Sequence, residues 1–100
     1  MATKSSPNIS PVYFLFGPED FLIEEETKRL LDQTLSPSAR GFNLHIFSAQ
    51  DHTSQEIVQT AQTLPMFSKY RFVLVSEADQ FDESEIKPLV EYIQDPSPST

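Results

Sequence analysis

The chain has 100 residues, which suits one small domain near the lower size limit for independent stability. Hydrophobic residues make up 38% and charged residues 22%, and eight phenylalanines and three tyrosines supply apolar surface, which argues against disorder throughout the chain. The formal net charge of -8 repels phosphate backbones and argues against unaided nucleic-acid binding, while the absence of cysteine excludes disulfides and thiolate metal sites.

The N-terminal residues carry no pattern typical of export or membrane insertion. Residues 1–10 are small and polar with one proline, so they predict a flexible arm and lack the apolar stretch of a signal peptide. Residues 12–16 form the longest apolar run, which is far too short to cross a bilayer. We therefore expect a cytoplasmic protein without membrane contacts.

The first predicted elements are a strand and a helix. Residues 12–16 are β-branched and aromatic, stop at Gly17 and are apolar on both faces, as in a buried parallel strand. A helix is predicted over residues 20–35, because it has an apolar side and because early glutamates complement the positive end of the helix dipole. The side chains expected to face the core are Phe21, Leu22, Leu30, Leu31 and Leu35.

The middle of the chain predicts a strand, a helix and another strand. Residues 42–47 alternate apolar and polar side chains, which indicates a half-buried strand near the sheet edge. A helix is predicted to begin at Thr53 or Ser54, in a run that resembles a capping box, and to end before Pro65. Its expected inward side chains are Ile57, Val58, Ala61 and Leu64. Residues 71–75 are again apolar on both faces and predict the third strand.

The C-terminal part completes the predicted fold class. A last helix is predicted within residues 82–94, with Asp82 and Glu85 as a capping box and Pro88 shifting its start or kinking it. Residues 95–100 have the composition of a linker to a missing part. Strand and helix alternate three times, which predicts an α/β fold with a three-layer, Rossmann-like, P-loop NTPase-like parallel sheet flanked by helices. Because three strands make a thin sheet, we expect this fold to be truncated.

The turn after the first predicted strand lies where nucleotide-hydrolysing α/β proteins carry a phosphate loop. Such a loop needs glycines, a lysine for the outer phosphates and a hydroxyl for magnesium. Here only Gly17 remains, while Ile23 occupies the lysine position and Glu24 the hydroxyl position. After the third predicted strand, Ser76 replaces the expected magnesium-binding aspartate, although Glu77 remains. The sequence therefore predicts a degenerate, non-functional nucleotide site and no cofactor.

An apolar pair stands between the second predicted helix and the third predicted strand. Pro65 breaks the helix after Leu64 and just before Met66 and Phe67, and polar residues follow from Ser68 onwards. The pair either folds back onto the core or forms a hydrophobic tip that inserts into a partner's pocket, because methionine adapts its shape and phenylalanine carries a large apolar area. Composition alone leaves both interpretations open.

The distribution of these motifs along the chain resembles one family. The segments that carry the resemblance are residues 13–25, 42–44, 64–68, 72–75 and 95–100. Their order and spacing, over roughly residues 11 to 100, are similar to those of the N-terminal region of the delta subunit of bacterial DNA polymerase III. Single segments are common in other proteins, but the combination is fairly specific.

The resemblance implies an AAA+-like domain over residues 11–94 that binds no ATP and has no catalytic residues, in a subunit of a DNA polymerase holoenzyme. Delta subunits grip the β sliding clamp and help to open the ring for loading onto DNA, so DNA is contacted only indirectly. Their gripping pair falls on Met66 and Phe67 here. The family's lid and collar, which contact other clamp-loader subunits, are missing, and the family's next strand lies beyond Thr100. Without that strand, the first and third strands must pair directly or an edge must be shared with another copy, so a self-associated or locally rearranged fragment is a further hypothesis.

Other functions find less support in the residues. His45 and His52 lack metal-binding partners at useful spacing, and no nucleophile–base arrangement supports catalysis. An active P-loop-type nucleotide-binding domain is one alternative, against which Ile23 and Glu24 argue. A receiver-like signalling module is the other, but its acidic cluster and lysine are incomplete.

Overall fold

The structure, a computed structural model, describes residues 9–100, so residues 1–8 of the predicted N-terminal arm lie outside the described part. Within the described residues, the elements follow the order α1 (Asp20–Thr34), a 3-10 turn (Pro37–Ala39), α2 (Arg40–Asn43), β1 (Leu44–Ser48), α3 (Ser54–Ala61), β2 (Phe72–Ser76), a second 3-10 turn (Ala78–Gln80) and α4 (Glu83–Gln94). No helix among residues 9–100 combines the length and apolarity needed to cross a membrane.

The sheet of the described residues consists of two parallel strands. β1 and β2 pair in register, from Leu44 opposite Phe72 to Ser48 opposite Ser76. α3 connects the two strands in the chain and packs against β2 and α4. The predicted α/β class with a parallel sheet flanked by helices is therefore confirmed, but the sheet has two strands where three were predicted.

The first predicted strand is not formed. Residues 12–16 take part in no ladder, and Phe14 and Phe16 are 73% and 88% exposed where burial was predicted. A strand forms only where a neighbouring backbone supplies its hydrogen-bond partners, and β1 and β2 pair only with each other. The prediction was wrong because it depended on side-chain type alone, which does not supply that neighbour.

Helix α1 is anchored by its C-terminal half. It ends at Thr34, one residue before the predicted end, and Leu30 and Leu35 are 5% and 1% exposed. Phe21 and Leu22 were predicted to face the core, but they are 67% and 60% exposed. Because the segment before α1 forms no sheet, the first turn of this helix has no apolar surface to cover, and that part of the prediction is wrong.

The second predicted strand starts two residues later than expected. Phe42 and Asn43 belong to the short helix α2, and β1 begins at Leu44. The side-chain amide of Asn43 donates to the carbonyl of Ala39 at 2.9 Å, which holds these residues in a helical turn. The strand itself is confirmed, but its burial does not alternate as predicted: Ile46 is 64% exposed, while the other four residues of β1 are all half-buried.

Helix α3 begins as predicted. The N–H of Glu56 donates to Oγ1 of Thr53, and the N–H of Thr53 donates to Oε2 of Glu56, both at 3.2 Å, which forms the predicted capping box. Ile57 and Ala61 are buried at 2% and 4% exposure, as predicted. Leu64, predicted to point inward, is 75% exposed, because the helix ends at Ala61 and the chain turns away before reaching it.

Helix α4 starts at Glu83 and contains Pro88 without a shifted start. The carboxylate of Asp82 accepts from the N–H of Glu85 at 2.9 Å, so the aspartate caps the helix, but this is only half of the predicted capping box, since the Asp82 N–H does not donate to the Glu85 side chain. Pro88 has no N–H, so the carbonyl of Ser84 receives no helical donor from it.

The core is small, and the C-terminal residues pack onto it. Its buried apolar side chains are Leu30, Leu35, Ile57, Ala61 and Phe81, and its buried polar ones are Asn43, Ser54 and Arg71. The carbonyl of Ser99 accepts from the N–H of Arg71 at 2.8 Å, and the hydroxyl of Thr100 donates to the carbonyl of Ala61 at 2.7 Å. The end of the chain thus lies against the start of β2 and the end of α3.

Candidate functional site

The turn between α3 and β2 presents apolar side chains to solvent. Phe67 is 89% exposed, Leu64 75% and Met66 48%, while Pro65 and Ser68 are half-buried. The interpretation in which Met66 and Phe67 fold back onto the core is therefore wrong for this structure. Large apolar side chains grouped at one exposed turn are typical of a protein-docking site.

Phe42 of α2 belongs to the same surface, although the sequence did not indicate it. Its ring lies 6.1 Å from the ring of Phe67, centroid to centroid, with an interplanar angle of 67°, and the residue is 56% exposed. Such an edge-to-face contact orients both rings. We call Phe42, Leu64, Met66 and Phe67 together the apolar tip. The alternation of residues 42–47 assigned Phe42 to a strand and so hid this contact.

A buried amide holds the backbone of the apolar tip. Asn43 is 0% exposed. Its Oδ1 accepts from the N–H of Met66 at 2.7 Å, and its Nδ2 donates to the carbonyl of Met66 at 2.7 Å. Both backbone polar groups of Met66 are thereby paired to one side chain, which fixes the peptide planes on either side of that residue.

Phe67 adopts a backbone conformation that is rare for its residue type. Its φ of +56° lies in the left-handed region. A non-glycine residue pays about 1–2 kcal/mol for this conformation, which persists only where the surroundings impose it. The strain coincides with the most exposed side chain of the apolar tip.

A buried cation ties the same turn to α2 and β1. Arg71 is 6% exposed, and its guanidinium donates to the carbonyls of Thr63 at 3.0 Å, Leu64 at 2.7 Å and Phe42 at 3.4 Å. It also contacts Nε2 of His45. Burial and the neighbouring Arg71 cation hold the pKa of His45 below its ordinary value of 6.5, so the imidazole is neutral at pH 7 and its free nitrogen accepts from the guanidinium.

The residues predicted to form a degenerate nucleotide site are divided between two places. Gly17 and Ile23 line an open cleft of about 340 Å³, and the charged side chains of its lining are the acids Glu19 and Glu26. The full lining comprises Phe14, Leu15, Phe16, Gly17, Pro18, Glu19, Leu22, Ile23 and Glu26. Glu24 is exposed on α1. Of the two acids that line the cleft, Glu26 is paired with Arg29 on the same helix.

Ser76 and Glu77 lie at the end of β2 and do not line that cleft. The hydroxyl of Ser76 donates to the carbonyl of Phe47 at 3.2 Å, and a carboxylate oxygen of Glu77 accepts from the hydroxyl of Ser48 at 2.8 Å. These bonds join the ends of the two strands. Among residues 9–100, no group of three acidic or histidine side chains is placed to hold a metal ion.

The sequence model of one protein family, described as DNA polymerase III, delta subunit, matches residues 13–100. The chain belongs to this family. The delta-subunit family match includes the cleft, the apolar tip and the C-terminal residues that pack against the end of α3 and the start of β2.

Two relatives illustrate how much of a delta subunit is represented. DNA polymerase III subunit delta of Bacillus subtilis (strain 168) is 27% identical over 100 residues, which cover 92% of this chain and 29% of that protein. The solved structure of the Bacillus subtilis DNA clamp loader delta protein (YqeN) superposes with a TM-score of 0.82 at 27% identity, covering 92% of this chain and 30% of that one. The chain therefore spans less than a third of the length of these delta subunits.

Proposed function

We propose that this chain is the clamp-binding part of a clamp-loader delta subunit, and that it binds the β sliding clamp of bacterial DNA polymerase III through the apolar tip. Clamp binding would help to open the ring for loading onto DNA in the cytoplasm. The observation that carries the proposal is the presentation of Phe67, which is 89% exposed at a turn held from beneath by buried groups. Family membership supports it, because the similar solved structure is named a clamp loader protein.

The tip has the composition and the rigidity that a docking element needs. A phenylalanine supplies a large apolar area, and Met66 beside it adapts its shape to a pocket. Hot spots of interfaces are few, apolar or aromatic, and seated in desolvated pockets. A tip whose backbone is already fixed loses little conformational entropy on binding, which favours affinity.

We further propose that the chain binds no ATP and catalyses no reaction itself. The cleft beside Gly17 is lined by Glu19 and Glu26 and has no cationic side chain in its lining. A net charge of -8 also supports a protein that meets DNA only through the clamp and, in the longer protein, through other clamp-loader subunits. A three-layer, P-loop NTPase-like arrangement of the whole domain is part of the proposal, supported by the superposition on the clamp loader delta protein.

Truncation of Phe67 tests the proposed site. Phe67→Ala should weaken binding to the β clamp by at least about 2 kcal/mol, or roughly thirtyfold in Kd, because it removes the central apolar contact. Surface plasmon resonance with immobilised clamp measures this change. The melting temperature should stay nearly constant, since the side chain contributes little to the core.

Phe16→Ala is the matched control for that experiment. Phe16 is 88% exposed, almost the same as Phe67, but lies outside the apolar tip. Its truncation should leave clamp affinity unchanged. Equal affinities of the wild type and the Phe67 variant, with both folded, would refute the proposed site.

A further inference from the structure

We propose that Asn43 is a positioning residue for clamp docking: its buried amide selects the backbone conformation in which Phe67 projects from the turn. The inference rests on the proposed function of the apolar tip. Asn43 is 0% exposed, so it cannot touch a partner, and any effect on docking has to pass through the groups it holds.

The amide of Asn43 matches the backbone of Met66 in a way that few side chains reproduce. The carbonyl oxygen of the amide takes the N–H of Met66, and the nitrogen of the amide supplies the carbonyl of the same residue, each at 2.7 Å. The same nitrogen also donates to the carbonyl of Ala39 at 2.9 Å, which attaches the arrangement to the beginning of α2. An aspartate in this place keeps the acceptor but sets a carboxylate oxygen against two carbonyls.

The hydrogen bond to the carbonyl of Met66 acts directly on Phe67. That carbonyl belongs to the peptide joining the two residues, so fixing it fixes the plane from which the φ torsion of Phe67 is measured. In the structure φ is +56°, against the normal preference of a phenylalanine for negative values, and holding this plane favours that value by limiting how the turn can relax. Without the amide, the torsion relaxes towards negative φ and the ring turns to a different direction.

Phe42, the neighbour of Asn43 in α2, supports the side chain of Phe67 while Asn43 holds its backbone. Its ring meets the ring of Phe67 edge to face at 6.1 Å. One four-residue helix, Arg40–Asn43, therefore supplies both the amide that sets the backbone and the ring that supports the side chain. The positioned state of Phe67 is the binding-competent state in this scheme.

Loss of the Asn43 amide should lower the association rate constant for clamp binding and leave the dissociation rate constant unchanged. When a relaxed turn competes with the competent turn, apparent affinity falls by the competent fraction. The complex forms only from the competent turn, so the association rate falls by that fraction. Dissociation returns the chain to the competent turn, so the dissociation rate stays the same.

The test compares the wild type with Asn43→Asp on immobilised β clamp by surface plasmon resonance. We expect the association rate constant to fall by about tenfold with the dissociation rate constant unchanged, because Phe67 is released from the imposed left-handed conformation and returns to negative φ. Ile57→Val is the control, because it removes one buried methylene from α3 without touching the turn and should lower thermal stability with no change in either rate. A variant at Asn43 that binds at the wild-type rate, or that changes only dissociation, overturns the inference.

A measurement on the wild type covers the case in which Asn43→Asp does not fold. The amide hydrogen of Met66 is bonded to a fully buried side chain, so hydrogen exchange followed by NMR should find it protected. Exchange at the rate of an unstructured peptide would show that the amide does not hold the turn and would overturn the inference. If instead Phe67→Ala leaves clamp binding intact, the proposed docking role of the apolar tip fails. The Phe67 result therefore tests the docking role, and the Asn43 results test the positioning role separately.

Discussion

Arg71 shows how a single buried side chain can organise the turn that carries the apolar tip. Its guanidinium is 6% exposed and is satisfied by the carbonyls of Thr63, Leu64 and Phe42. Thr63 and Leu64 lie two and three residues beyond the end of α3 at Ala61, near the negative end of the helix dipole, which favours a cation. The arginine therefore links the end of α3 to α2, across the base of the tip.

Replacement of Arg71 by methionine should destabilise the chain markedly. The methionine keeps most of the apolar stem but leaves the accepting carbonyls without a donor, so the free energy of unfolding should fall by about 3 kcal/mol. Urea denaturation followed by circular dichroism measures the change. Arg29→Met serves as control: the Arg29 side chain is 54% exposed and pairs with Glu26 on the surface, where solvent screens the pair, so its loss should leave the free energy of unfolding nearly unchanged. Equal losses for both variants would contradict the role assigned to Arg71.

His45 makes the stability of this region depend on pH. Its folded-state pKa lies below 6.5 because of burial first and the Arg71 cation second, so below pH 6.5 the unfolded chain binds more protons than the folded chain. The contribution of neutral His45 to stability is therefore complete above pH 6.5 and is lost as the pH falls through 6.5 towards the folded-state pKa. The lowered pKa values of Glu26 and Asp82 act in a more acidic range, because their ordinary values are 4.5 and 3.8.

The measurement for His45 is the urea midpoint at a series of pH values from neutral to mildly acidic. The wild type should lose stability as the solution is acidified. His45→Gln should lose less over the same series, because its side-chain oxygen accepts from Arg71 without taking up a proton. His52 remains in both proteins and serves as the internal reference. Parallel curves for the two proteins would show that His45 is not the group responsible.

At the scale of elements, the sequence predicted what local interactions decide. The start of α3 was correct because Thr53 and Glu56 cap each other within one turn, and Asp82 caps α4 in the same local way. A strand needs a partner from elsewhere in the chain, so residues 12–16 were assigned wrongly although every side chain suits a strand. Side-chain pattern predicts which residues can pair, but not whether a partner strand is present.

The apolar tip shows the same division between local and distant causes. Pro65 indicated that α3 ends before Met66 and Phe67, but the helix already ends at Ala61, earlier than the proline requires. Whether the pair points inward or outward depends on Asn43, which lies 23 residues before Met66 in the chain. No local pattern indicates a side-chain to backbone contact over such a distance. Composition therefore left both orientations open, only the family resemblance favoured the exposed one, and the positioning amide was missed.

At the scale of the whole molecule, a second exposed apolar surface stands apart from the tip. It is formed by the N-terminal segment and the first turn of α1, where Phe14, Phe16, Phe21 and Leu22 are between 60% and 88% exposed. Phe14, Phe16 and Leu22 line the same open cleft. Monomeric proteins rarely leave apolar patches of this kind uncovered, and the unpaired edge of a two-stranded sheet adds free backbone groups. We therefore expect this N-terminal surface to be the contact between copies if the 100-residue chain self-associates.

Light scattering coupled to gel filtration tests this assignment across a range of protein concentrations. We expect the average mass to rise with concentration, and to rise further with added salt, because salt screens the repulsion between chains of net charge -8 while leaving apolar attraction in place. The double variant Phe14→Ser and Phe16→Ser should remain monomeric under the same conditions. Leu64→Ser and Phe67→Ser together form the matched control, because they are 75% and 89% exposed, close to the 73% and 88% of the first pair. If the Leu64 and Phe67 variant abolishes association while the Phe14 and Phe16 variant does not, the apolar tip is the contact between copies. If the wild type stays monomeric at every concentration and salt level, the N-terminal surface does not mediate association at all.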